Sequence, residues 1–384
     1  MHITKSEEKI LSGEEGPVKQ KALELLVGLG KIFGAERLIP VKSVQVAGVS
    51  YQNIGDAGLD FLNDWAAEAK VVVPTTLNPA GMDLENWEPF VGHEFAEKQL
   101  EIIDAYRRMG IQITCTCTPY YVGNVPNAGD HIAWSESSAV VYANSVLGAY
   151  TNREGGPSAL AAAIIGKTAC YGYHIDENRV PVVQVTVPET MFDYSDYSAA
   201  GYWIGKNTDG VPIVDFGQAP KNEYLRGFSA GLAASGDKAM FHLGRREGLP
   251  EVVMHEEDLI GVYASFTSES EFDAVYLGCP HLSFQEVGRV ARTVSNKKLR
   301  YPLLLFCSRE IYRQAFYKGY LDILKRAGAY LIADTCMVVS PLKYKSVLTN
   351  SAKAAHYLKS FGVKVELAYT DDCIKYALGG KYEG

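Results

Sequence analysis

No stretch of this chain approaches the ~20 consecutive apolar residues a membrane-spanning helix needs, and Met1-His2-Ile3-Thr4-Lys5-Ser6 lacks the apolar region of a secretory signal. Basic clusters are also missing: 37 Lys and Arg lie scattered among 45 Asp and Glu for a net charge of −8, which disfavours nucleic acid or an anionic membrane as partner. Cysteine is scarce. The 384 residues hold 7, an odd and unclustered set without a C-x2-C pair, so neither a disulfide framework nor a paired-thiol zinc site is expected. Low-complexity tracts, flexible linkers and repeats of solenoid period are absent too. These absences leave a cytoplasmic protein with a small-molecule ligand, long enough to bury a large core in two or three subdomains.

What is present is β/α alternation. Residues 21–33 place Ala22, Leu25, Leu26, Leu29 and Phe33 at helical spacing. Runs 41–46, 71–76 and 111–117 read as strands, with helices over 56–69 and 95–109 between them, which predicts a mainly parallel sheet with crossover helices. Helices are expected over 139–148 and 158–166. The middle section, with strands 180–187 and 239–243 and a helix over 222–234, reads as a separate α+β unit. From residue 271 the alternation resumes, with strands 274–277, 301–307, 331–334 and 363–369. The expected division is an α/β subdomain over 1–150, an α+β subdomain over 151–268 and a second α/β subdomain over 269–384.

Three thiols recur in one setting. The β-branched run Ile111-Gln112-Ile113-Thr114-Cys115-Thr116-Cys117 meets Thr118-Pro119, and Pro119 cannot donate to a sheet ladder, so Cys117 is expected at a strand's carboxyl edge. Cys279, before Pro280-His281, and Cys336, after Asp334-Thr335, each close a short apolar run in the same way. In open α/β sheets that edge binds ligands. A single strand cysteine usually acts as a small buried hydrophobe, and Cys115, Cys170 and Cys373 read that way. Cys117, Cys279 and Cys336 together suit an iron–sulfur cluster with one iron left open for Lewis-acid chemistry. Cys307, at the end of 301–307, is a reserve ligand.

Other candidates carry two readings each. Ser50 is a turn hydroxyl or a donor to a substrate oxygen; Asn78, before Pro79, is a turn residue or an amide facing the cleft. Lys353 is an exposed lysine behind a helix cap or a cation neutralising an anionic substrate at a helix start. Arg153, near Gly155-Gly156, and Arg309, after the Cys307 strand, are further candidates for an anion. His281 reads as a donor to the cluster's surroundings or as a surface histidine.

Taken in order, Gly48-Val49-Ser50-Tyr51, Asn78-Pro79, Cys117-Thr118-Pro119-Tyr120, Thr151-Asn152-Arg153-Glu154-Gly155, Gly278-Cys279-Pro280-His281, Asp334-Thr335-Cys336 and Thr349-Asn350-Ser351-Ala352-Lys353 resemble the aconitase X family over nearly the whole chain, most of all its archaeal branch. The resemblance implies an α/β, aconitase-like fold of mainly parallel sheets in up to three subdomains, lacking the swivelling domain, which a separate small subunit would supply. It implies Cys117, Cys279 and Cys336 as ligands of a 4Fe–4S cluster, and a substrate lined by Gly48, Val49, Ser50, Asn78 and Pro79. The implied reaction is dehydration of the phosphorylated hydroxy acid (R)-5-phosphomevalonate to trans-anhydromevalonate 5-phosphate, in the archaeal mevalonate route to isoprenoids. The general base would be a serine on the partner. Some members dehydrate cis-3-hydroxyproline instead, which is the alternative substrate. A non-catalytic metal-binding scaffold is the reading that requires no turnover.

Overall fold

A computed structural model describes residues 1–236, 238–267, 271–342 and 344–380. The amino-terminal unit is built on a parallel three-stranded sheet in which Val44–Val46 lies between Thr75–Leu77 and Ala133–Trp134. Helices Tyr51–Ala66 and His93–Arg108 pack on each other and share an apolar cluster with it. Helix Pro17–Ile32 opens with proline at its first turn, where a missing N–H costs nothing. Helix Gly156–Ile165 is buried almost all round because Ala159, Ala161, Ala162 and Ala163 give it no polar face. It is therefore sandwiched between Pro17–Ile32 and the sheet, and strand Lys167–Ala169 then pairs antiparallel with Leu38–Pro40. Packing thus carries the first unit past residue 150, the boundary read from the sequence.

The middle unit is not α+β. Its four strands, in the order His242–Leu243, Pro212–Asp215, Val183–Thr186, Glu251–Val253, are all parallel. The crossover helix Tyr194–Asn207 packs on Asn222–Ser235 at backbone contact: a Cβ on Gly231 would stand 2.0 Å from the Ser198 carbonyl oxygen. Small residues that permit this approach also flatten the hydrophobic pattern, which is why the first of these helices escaped the sequence reading.

The carboxyl-terminal unit is a doubly wound parallel sheet in the order Tyr330–Ala333, Leu303–Cys307, Ala274–Leu277, Ser346–Thr349, Lys364–Leu367. Both faces are covered, so its strands are near-continuous apolar runs. Val275, Leu277, Leu303, Leu305 and Cys307 pack in one apolar cluster, while Ala274, Tyr276, Leu304 and Phe306 pack in another with the middle unit. The strand order reverses between Ala274–Leu277 and Ser346–Thr349. Their carboxyl ends therefore splay apart and open a crevice, the place where such sheets bind ligands.

The run 111–117 differs from its expected strand. Gln112 makes one isolated bridge to Thr76, and Cys115 has φ 41°. The Thr114 hydroxyl stands in for a backbone rung, accepting from Leu77 N at 3.0 Å and donating to Leu77 O at 3.2 Å. A side chain competing for ladder partners ends regular pairing, yet the segment still delivers Cys117 to the sheet's edge.

Candidate functional site

A cleft opens at this crevice, and Cys117, Cys279 and Cys336 all line it. Cys279 follows the first strand of the carboxyl-terminal sheet, Cys336 follows Tyr330–Ala333, and Cys117 comes from the amino-terminal unit. Each is buried. Burial pushes the Cys279 thiol up to about 12, with Lys353 opposing and Cys336 reinforcing the shift. Cys117 is raised by burial and by Glu136, Cys336 and Cys279. Cys336 is raised by burial, against which the N–H groups of Val338 and Val339 act. Thiols in this environment become thiolates only beside a compensating cation. The donor set therefore fits a thiophilic metal group. Among the described residues no three Cys, His, Asp or Glu side chains close on the position of a single ion.

Asn78 and Pro79 line the cleft. Asn78 donates its N–H to Val46 O at 2.9 Å, while its buried Oδ1 has no hydrogen-bond partner among the described residues. Buried amide oxygens are rarely left so. From the neighbouring loop only Ala47 reaches the lining. Gly48, Val49 and Ser50 form the layer behind it: Gly48 O accepts from Tyr106, Val49 O from Gln99, and the Ser50 hydroxyl donates to Val339 O at 2.7 Å. In this structure Ser50 supports the wall rather than facing the cavity.

Lys353 lies in the cleft at the first turn of helix Ala352–Ser360, which Ser351 caps. Its ammonium is bonded to Glu136 Oε1 and to the Ser137 hydroxyl at 2.9 Å. Glu136 in turn caps helix Ser137–Ser145, accepting from Ala139 N at 2.6 Å. Burial alone would raise the Glu136 carboxyl; Lys353, by charge and hydrogen bond, more than reverses this and holds it below the usual range. The pair is therefore a buried ammonium and carboxylate. Arg153 also lines the cleft, at an exposed position bridged through its backbone to Trp134.

Two candidates lie elsewhere. The Arg309 guanidinium is not in the lining; it is buried among Asp83, Asp334 and Glu85, with Nε to Asp334 Oδ2 at 3.1 Å and Nη1 to Glu85 Oε2 at 3.0 Å. Carboxylates from two units claim its donors, so it ties those units together instead of meeting an anion in the cleft. Cys307 packs with Leu303 and Leu305 in the apolar cluster on the far side of its sheet, because strand alternation turns it away from the crevice. The sequence reading missed Glu136 and Tyr357 as lining residues. Glu136 carried a signal, an acidic residue at a helix cap; Tyr357 carried one only through its four-residue spacing from Lys353.

Three family models cover the chain in order: aconitase X first domain over residues 1–177, second domain over 174–259 and third domain over 272–379. The phosphomevalonate dehydratase large subunit of Thermococcus kodakarensis is 48% identical, covering 98% of this chain and 100% of that protein. That of Methanocaldococcus jannaschii is 46% identical, covering 97% and 98%. A cis-3-hydroxy-L-proline dehydratase of Pseudomonas aeruginosa is 33% identical, covering 98% of this chain but 70% of that protein. The crystal structure of Thermococcus kodakaraensis aconitase X, holo-form, matches with a TM-score of 0.92 at 47% identity, over 98% of this chain and 100% of that one. With its parallel-sheet architecture and all three family domains matched in order, the chain belongs to the aconitase X family.

Proposed function

We propose that this chain is the large catalytic subunit of a hydro-lyase that removes water from (R)-5-phosphomevalonate, giving trans-anhydromevalonate 5-phosphate in the cytoplasmic route to isoprenoids. One observation carries the reading: three buried thiols from separate segments line the same cleft as an unpartnered amide oxygen and a buried ammonium. In it Cys117, Cys279 and Cys336 hold an iron–sulfur cluster of the 4Fe–4S type. Such a group, when bound, supplies Lewis acidity toward a leaving hydroxyl.

The chain's own residues bind and orient. Asn78 Oδ1 accepts a hydrogen bond from the substrate, Pro79 and Ala47 shape the wall, and Gly48, Val49 and Ser50 hold that wall in place. Lys353 and Arg153 give an acidic protein the local positive potential that a carboxylate and a phosphate require. Glu136 keeps the Lys353 ammonium charged and fixed in position. The proton beside the substrate carboxylate is taken by a base on a small partner subunit carrying the swivelling domain, in keeping with the large-subunit names of the relatives.

The test is anaerobic co-expression with the small subunit, followed by product analysis on both substrates. Loss of water from phosphomevalonate by the pair, and by neither chain alone, is expected. Turnover of cis-3-hydroxyproline with phosphomevalonate untouched would replace this reading with that of the 33% identical relatives.

A further inference from the structure

We infer that the His281 side chain is the positioning residue that assembles the three-thiol set, by joining the segments that carry Cys117, Cys279 and Cys336 through one directed chain of hydrogen bonds. The inference rests on the proposal that these thiols hold the iron–sulfur cluster. His281 is fully buried and stands two residues after Cys279. Its ring bonds on both sides. Nε2 lies 2.8 Å from Thr335 O, the carbonyl beside Cys336, and Nδ1 lies 2.9 Å from the Thr116 hydroxyl, beside Cys117. Its backbone N–H donates to Cys117 Sγ at 3.2 Å.

For a neutral ring the geometry allows one arrangement of protons. A carbonyl oxygen only accepts, so Nε2 carries the hydrogen; Nδ1 is then bare in the neutral ring and accepts from the Thr116 hydroxyl. With that hydrogen committed, Thr116 Oγ1 has only acceptor capacity left. It receives Thr118 N at 3.2 Å and the Thr118 hydroxyl at 3.1 Å. The chain therefore runs from Thr118 through Thr116 and His281 to the Thr335 carbonyl, flanking Cys117 on both sides and ending beside Cys336. Flipping the ring or moving its proton would break bonds at both ends at once. This is the means by which an extended segment without a regular sheet ladder, 113–118, is held against two loops of another unit.

Outer partners of metal ligands commonly change metal affinity by ~10–100-fold. The test uses the assembled holoenzyme and compares Thr116→Val, Thr116→Ser and His281→Gln with wild type. Its readouts are iron per chain, the rate of iron release to a chelator, and visible absorbance and circular dichroism of the bound group. Thr116→Val keeps the side-chain shape and Thr116→Ser keeps the hydroxyl, so the pair gives a comparison that does not depend on the fully buried His281→Gln. Expected are iron release at least about tenfold faster in Thr116→Val, an altered visible spectrum, and recovery of both in Thr116→Ser, which keeps the hydroxyl. A merely structural threonine would not move the spectrum and regain it with serine. Wild-type iron retention and spectrum in Thr116→Val overturn the inference, while loss of all iron in Cys117→Ala would show that the cluster reading itself stands. Full iron in Cys117→Ala, Cys279→Ala and Cys336→Ala overturns both.

Discussion

Replacing Arg309 by methionine separates a tie between units from an anion-binding role. Arg309 is 8% exposed, and its partners Asp83 and Asp334 are 3% and 2% exposed. Removing the cation leaves two buried carboxylates facing each other. Breaking one buried pair in this way generally costs about 3–5 kcal/mol. Here the carboxylates keep backbone donors, Glu85 N and Asn86 N on Asp83 Oδ1 at 2.9 and 2.8 Å and Ala333 N on Asp83 Oδ2 at 3.0 Å, so the low end, about 3 kcal/mol, is the expected loss. Urea unfolding of Arg309→Met against wild type measures it, and Asp83→Asn added to Arg309→Met should return part of the loss by removing one of the two stranded charges. Turnover per folded molecule should change far less than stability. A variant with wild-type stability whose kcat/KM for phosphomevalonate falls tenfold or more would refute the reasoning, since it would mean that the arginine meets substrate.

Three further outcomes follow from other sites. Burial alone would raise the Glu286 carboxyl, but Arg226, 2.5 Å away, and the Ser283 cap bring it below its ordinary value; a depressed carboxyl stabilises above its unfolded pKa, about 4.3, and loses that contribution as pH falls through its folded value. Glu286→Gln should therefore be less stable than wild type at pH 7 by about 3 kcal/mol, with the gap closing in acid, and a gap constant with pH in thermal melts would contradict this. Lys353→Met should lower kcat/KM for the phosphorylated substrate by roughly ten- to hundredfold per iron-loaded molecule, because a charge-assisted hydrogen bond is worth about 1.5–3 kcal/mol; unchanged steady-state kinetics would remove Lys353 from the binding groups. Asn78→Leu removes an unpartnered buried oxygen, so it should leave melting temperature unchanged or raised while raising KM, and a destabilised variant would mean that the amide is already satisfied in the free protein.

That Cys117, Cys279 and Cys336 reach one cleft was legible in the sequence because a strand that stops at a proline or polar turn leaves a distinctive local record, and two of the three cysteines do follow regular strands. The third was reached through a misread: 111–117 has a strand's composition, but the Thr114 hydroxyl takes a ladder position and Cys115 turns to positive φ. Local pattern could not tell Cys307 from Cys279, since both end strands of one sheet; the face each side chain takes decides the matter, and face is a property of the packed sheet. Arg309 stands at a helix start in sequence, as a binding residue would, and only the approach of Asp83 from a distant segment reveals its role. The middle unit was hardest to read, because its close-packed helices depend on small residues that suppress the amphipathic signal.

Cys117, Cys279 and Cys336, and not Cys307, are proposed to hold iron in the cleft. Iron and acid-labile sulfide per chain, measured on anaerobically purified complex for each of the four single Cys→Ser variants, test it most directly. Loss or fragmentation of the cluster is expected in the first three and wild-type content in Cys307→Ser; full iron in any of the first three, or its loss only in Cys307→Ser, would overturn this assignment.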